Sequence, residues 1–357
     1  MGRRGRWWLT LVVTVISLPY SSPLPCLPLT FGSTSPLFGF PWPWRGGSAK
    51  SMQRRTTKMF KLTNRQQRRS LWVLLVGFLL LVVLLIPTTS WVKNSTKEQA
   101  AQHNSQLSPL IMIPGSSSTK NRFDTLVKLL NQGSATKHSL LKVEVYNSGK
   151  ITYTGKIRRG DTEPIIVVAF ENNHDGYSNI KKQAKMFNEA FEQLVQTYKF
   201  NNFKAFGHSN GGLIWTVWLE KYYDEADGAK IKTLMTLGTP YNFSESSVSN
   251  KTQMLSDLIA DREMIPSSLT VLSVMGTETY NSDGLVPEGS VEAGKYIYQK
   301  VAKHYTTMTV TGTDAQHSNL PQNQQIVSLI QEYILNQNGN RPGSKNRSNR
   351  QNQSSSN

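Results

Sequence analysis

The stretch Phe203–Val217, FKAFGHSNGGLIWTV, sets Ser209 among glycines at the junction of two apolar runs. The first run is short and breaks at Gly207, which suits a strand. The second continues long enough for a helix. A strand that turns directly into a helix leaves no room for side chains two positions either side of the turn's central residue. It lifts that residue's own side chain above the sheet edge. The helix N-terminus, with its unsatisfied N–H groups, then faces the same point and favours negative charge there. These residues alone admit two readings: a turn built to present a hydroxyl, or a glycine-rich turn in which the serine is incidental.

The surrounding pattern supplies the frame. Short apolar runs lie at Leu110–Ile113, Leu141–Tyr146, Ile151–Tyr153, Ile165–Phe170, Phe203–Phe206, Thr233–Leu237, Leu269–Met275 and Thr306–Val310. Several, such as IIVVAF, are apolar throughout, as parallel strands covered on both faces are. Between them, Ile180, Ala184, Phe187, Phe191, Leu194 and Tyr198 fall at helical steps over Asn179–Tyr198. Phe123, Leu126, Val127 and Leu130 do the same, and so do Ile326, Leu329, Ile330, Tyr333 and Ile334. Alternating strand and helix predicts an α/β domain over 108–338, with a mostly parallel central sheet and helices on both faces. Residues 141–154 are expected to form a hairpin turned at Asn147-Ser148-Gly149. Residues 241–268 carry no strand pattern. They are read as a small cap insertion with a short helix around Met254, Leu255, Leu258 and Ile259, or as an ordinary surface excursion.

Charge bounds the partners. The chain of 357 residues has a net charge of +17, but residues 1–70 hold 12 Lys/Arg and no acid, while 105–338 hold 22 Lys/Arg and 22 Asp/Glu. A nucleic-acid groove needs its positive charge in the folded part, so no nucleic acid is expected as a partner. Cys26 is the only cysteine, which excludes an intrachain disulfide framework and a cysteine metal site. No His/Asp cluster has ligand spacing, so neither metal nor cofactor is expected.

Two apolar runs follow basic residues: Trp7–Leu18 and Leu71–Ile86. The second would be about 24 Å long as a helix at ~1.5 Å per residue. It suits a short membrane anchor or a secretory signal, with the basic side retained and residues after 90 outside. The expected organisation is a non-functional extension at 1–58, with translation starting at Met59 or Met52. A signal or anchor at 59–90, a polar linker at 91–107, the domain at 108–338 and a disordered basic tail at 339–357 follow.

In α/β sheets, chemistry gathers beyond the carboxyl ends of the strands. Gly207-His208-Ser209-Asn210-Gly211 fits G-x-S-x-G there. A serine hydroxyl needs a base. Of the six histidines, His317 follows the strand Thr306–Val310 in TGTDAQHSNLP. His103 lies in the linker, His138 and His174 precede the serine, His208 adjoins it and His304 begins a strand. The base needs a carboxylate to orient it. Asp283, in TETYNSDGLVP after the strand Leu269–Met275, is the leading candidate. Glu278 on the same loop and Asp314, three residues from His317, are its rivals.

The order Ser209, Asp283, His317, with IMIPGSSST, GHSNGG, LGTPYN, SDGLVP and QHSNLP, resembles the α/β-hydrolase superfamily over residues 108–336. More narrowly it is similar to membrane-attached cell-surface hydrolases of Gram-positive bacteria. The resemblance implies Ser209 as nucleophile, and an oxyanion hole from the backbone N–H groups of Asn210 and Ser116. Where many relatives carry His-Gly, this chain has Pro114-Gly115. The expected activity is hydrolysis of small-molecule or lipid acyl esters outside the cell, by a protein held at the membrane through its N-terminal helix or secreted. A binding protein on a hydrolase scaffold is the alternative.

Overall fold

Because runs such as Leu110–Ile113 and Ile165–Phe170 are apolar at successive positions, they can bury both faces, and the fold uses both. The computed structural model describes residues 68–83, 94–132, 136–225, 228–312 and 314–335. The expected extension at 1–58 and tail at 339–357 lie outside these. The strands are β1 (Leu110–Ile113), β2 (Leu140–Val145), β3 (Ile151–Gly155), β4 (Ile165–Phe170), β5 (Asn202–His208), β6 (Lys230–Leu237), β7 (Thr270–Thr277) and β8 (His304–Thr311). They form one sheet in the order β3-β2-β4-β1-β5-β6-β7-β8. Only the β2–β3 pairing is antiparallel. That pair is the expected hairpin, with Gly149 at φ 80 in its turn.

Alternation along each strand divides the core in two. Ile111, Ile113, Ile166, Val168 and Phe203 belong to one layer. It is shared with the helices α4 (Tyr177–Tyr198), α5 (Asn210–Lys221), α6 (Gln253–Asp261) and α8 (Lys295–Tyr298). Leu110, Met112, Ile165, Val167 and Phe206 face the other layer, with α3 (Asp124–Gln132) and α9 (Gln324–Tyr333). The short helix α7 (Glu288–Glu292) contributes Val291 to a small cluster with Met275 and Val286. Aromatic side chains fill the first layer: Phe187 meets Trp215 and Trp218 edge-on at centroid distances of 4.6 and 5.2 Å. Such pairs add about 0.5–1.5 kcal/mol beyond burial. Trp215 Nε1 donates to Phe206 O at 3.0 Å, tying α5 to the end of β5.

Two segments add to the expectation. Residues 94–103, read as part of a polar linker, form a helix, α2. It carries no apolar stripe and is held by polar contacts instead. Asn201 Nδ2 donates to His103 O at 2.8 Å, Gln102 Nε2 donates to Phe200 O, and Lys199 pairs with Glu98. The expected cap at 241–268 lays α6 along the flank of α5. Met254, Leu255 and Leu258 are buried in the layer that holds Leu213 and Trp215. Asp261 pairs with Lys221, at the end of α5 remote from Ser209. Asn242 shapes the preceding loop by accepting from Thr252 N and donating to Asn250 O, at 2.9 and 2.6 Å.

By itself, α1 (68–83) covers most of the expected Leu71–Ile86 segment, and its apolar side chains are exposed, among them Trp72 and Phe78. Its 16 described residues span about 24 Å at ~1.5 Å per residue. Among the described residues, no helix is long and apolar enough to cross a membrane. Residues 84–93 lie outside them.

Candidate active site

Ser209 sits between β5 and α5 with φ 56 and ψ −129, a backbone conformation that L-residues adopt only under constraint. The constraint comes from close packing on both sides. A Cβ on Gly207 would lie 2.6 Å from Gly212 N, and one on Gly211 would collide with Ile113 O at the end of β1. The elbow is therefore pressed against both α5 and β1, and glycine at these two positions is what permits it. Ser209 N donates to Leu237 O at 2.8 Å, which ties the turn to the end of β6.

His317 and Asp283 meet beside it. Asp283 Oδ2 takes the His317 Nδ1–H at 2.6 Å, and both side chains are buried. The other oxygen, Oδ1, accepts from Val286 N at 2.7 Å and Leu285 N at 3.0 Å. His317 N in turn donates to Asp283 O at 2.8 Å. The carboxylate has all its bonds fixed, and the histidine is gripped at ring and backbone alike. Neither rival carboxylate does this: Glu278 lies against Gly284, and Asp314 is exposed.

Gly238, at φ 57, brings the loop after β6 against the pair. A Cβ there would lie 3.0 Å from Asp283 Oδ2 and 3.1 Å from His317 Nδ1. Gly238 N donates to Val274 O within β7, as Ser209 N does to Leu237 O of β6, so each turn is tied to the neighbouring strand. His208 points away from the hydroxyl. Its Nε2–H donates to His317 O at 3.0 Å, and its ring lies 4.8 Å from the His317 ring. Burial first, then the neighbouring His317 and Arg122, hold its pKa well below the usual imidazole value. It is neutral and serves as a buttress. Arg122 adds a second support, donating to Ser318 O at 2.6 Å.

The loop after β1 closes the other side. A Cβ on Gly115 would lie 2.6 Å from Ser209 Cβ and 3.2 Å from Ser209 Oγ, so the hydroxyl lies over this loop. It makes no hydrogen bond to His317 here, and catalytic hydrogen bonds often tighten only when substrate binds. Asn210 opens α5, so its N–H has no partner within the helix. Ser116 N lies one residue before Ser117, which holds φ 58 and donates to Asn173 O at 2.8 Å. Among the described residues, no group of three His, Cys, Asp or Glu side chains is placed to hold a metal ion.

Residues 97–337 match the family described as "Alpha/beta hydrolase of unknown function (DUF915)". The chain belongs to this family. Among solved structures, this α/β hydrolase is similar to a candidate cell surface hydrolase from Lactobacillus plantarum WCFS1. The two are 50% identical with a TM-score of 0.61, over 69% of this chain and 98% of that one. It is also similar to the lin2722 gene product of Listeria innocua, at 26% identity and a TM-score of 0.59, over 64% and 94% of the two chains. No curated protein matches.

Three contributors were not assigned from the sequence: Gly238, Arg122 and the buttressing role of His208. Gly238-Thr239-Pro240 carried a signal, since a glycine directly after an apolar run marks a turn. Arg122 acts across a long sequence separation, and no local pattern reveals it.

Proposed function

We propose that the chain is a cell-surface serine hydrolase that cleaves acyl esters through Ser209, His317 and Asp283. The observation that carries the reading is the 2.6 Å bond from His317 Nδ1 to Asp283 Oδ2, formed beside a serine held at φ 56. The bond fixes the tautomer: with Nδ1 protonated, Nε2 is free to take a proton.

In the proposed cycle, Ser209 Oγ attacks the ester carbonyl and His317 Nε2 takes the hydroxyl proton. The N–H groups of Asn210 and Ser116 receive the developing oxyanion, a contribution often worth about 10²–10³ in kcat per donor. Collapse breaks the bond to the alcohol, which leaves with the proton from His317. Water then attacks the acyl-enzyme, giving its proton to His317, and the carboxylic acid is released as Ser209 regains its hydrogen. Asp283 stays ionised and stabilises the imidazolium throughout.

The name of the Lactobacillus relative and the basic flank of residues 54–69 support a location outside the cell. The exposed apolar side chains of α1 support attachment to the membrane through the segment 59–90. The family match begins within α2, at residue 97, and runs to residue 337.

The test is hydrolysis of p-nitrophenyl esters of increasing chain length by the purified full chain, Ser209→Ala and His317→Ala. The reading predicts turnover by the wild type and loss of at least about 10³-fold in each variant. Turnover that persists in Ser209→Ala refutes it.

A further inference from the structure

The four residues Asn173–Gly176, between β4 and α4, reach both sides of the site. Asn210 is only 4% exposed. Its side chain crosses to this loop, where Nδ2 donates to Asp175 Oδ1 at 2.6 Å. The same oxygen accepts from Gly176 N at 2.7 Å, so the carboxylate is fixed at the head of α4. Two residues earlier, Asn173 O accepts from Ser117 N at 2.8 Å, and Asn173 Nδ2 donates to Ser118 O at 3.0 Å.

The loop is braced from behind. Asn179 Nδ2 donates to His174 O and Gln183 Nε2 to Asn172 O, each at 2.5 Å. Both donors belong to α4, whose Ile180, Ala184 and Phe187 are anchored in the core.

These bonds converge on the two segments expected to hold the oxyanion. One carries Ser116 and the other Asn210, from loops nearly a hundred residues apart in the chain. Two N–H groups act together only if their separation is fixed to a few tenths of an ångström, because donors must lie about 2.7–3.1 Å from the oxygen. Ser117 sits at φ 58, a conformation that the bond from its N–H to Asn173 O helps to hold. The Asp175 bond is charge-assisted, and so among the stronger kinds. Asp175 itself is exposed, so water screens its charge from the reacting centre.

We propose that Asp175 and Asn173 are positioning residues, a strap from α4 that sets the spacing of the Asn210 and Ser116 N–H groups. The inference rests on the serine-hydrolase reading above, and its test separates the two. In the full chain, Asp175→Ala should lower kcat on a p-nitrophenyl ester about tenfold, with KM within twofold. Asp175→Asn keeps an oxygen acceptor and should recover most of that loss. Amide hydrogen exchange should quicken at residues 116–118 and 210–211 in Asp175→Ala alone. Unchanged kcat, a loss confined to KM, no rescue by Asp175→Asn, or unaltered exchange at those amides would each overturn the strap. A wild type with neither turnover nor labelling of Ser209 by a fluorophosphonate would overturn the hydrolase reading beneath it.

Discussion

Replacing Glu220 by glutamine should make the protein markedly more stable at neutral pH and remove a specific pH dependence. Glu220 lies on α5, is 4% exposed, and its Oε1 has no hydrogen-bond partner. Burial, and then the nearby Asp261 carboxylate, raise its pKa from 4.5 to about 9, with Lys221 opposing. A folded-state pKa above the unfolded one means that the bound proton stabilises the fold. That contribution is complete below pH 4.5 and is lost progressively as pH rises towards 9. Within the window each pH unit removes about 1.4 kcal/mol. By pH 7.5 about 4 kcal/mol has gone if the site stays rigid, and local relaxation brings the expected figure to roughly 2–4 kcal/mol.

Glutamine has the same shape and no proton to lose. At about 2–4 °C per kcal/mol for a domain of this size, Tm should rise by roughly 5–15 °C at pH 7.5. Urea or thermal unfolding of both proteins from pH 5 to 8.5 is the assay. The gap between them should be small at pH 5 and widen steadily. A gap that stays constant across the range would refute the reasoning, because burial of an ionisable group would then not be its cause.

Asp283→Asn should preserve the fold but present an amide N–H to His317 Nδ1. That favours the wrong tautomer, so kcat should fall about 10⁴-fold while the circular dichroism spectrum is unchanged. Gly238→Ala places a methyl group against Asp283 and His317 at a residue held at φ 57. Left-handed backbone there costs roughly 1–2 kcal/mol, so Tm should fall by several degrees, and activity should fall by more than that loss of folded protein accounts for. Trp215→Ala empties the centre of the aromatic layer and should destabilise by about 3–5 kcal/mol in urea unfolding.

Much of the fold was legible because several of its strands are apolar at consecutive positions. IIVVAF could be buried on two faces and hardly anything else, and β4 has the predicted bounds. Other strands extend one to three residues past the apolar run, as β6 does through Lys230, where backbone pairing continues after the hydrophobic signal stops. α2 was invisible for the converse reason: its sequence NSTKEQAAQH buries no apolar face, and its anchors are polar contacts with Lys199, Phe200 O and Asn201, far along the chain.

The meeting of His317 with Asp283 was readable because both follow strands that end at one edge. The bracing was not: the Asp175–Asn210 and Arg122–Ser318 bonds join residues separated by 35 and 196 positions. Glu220 was equally hidden, since a charged residue in IWTVWLEKYY reads as the exposed side of a helix until α6 covers it.

The most direct measurement is intact-mass and peptide mass spectrometry of the full chain after treatment with a fluorophosphonate. The account predicts one adduct, on the peptide containing Ser209, absent in Ser209→Ala and formed far more slowly in His317→Ala. No adduct on the folded wild-type protein, or an adduct on another residue that survives in Ser209→Ala, would contradict it.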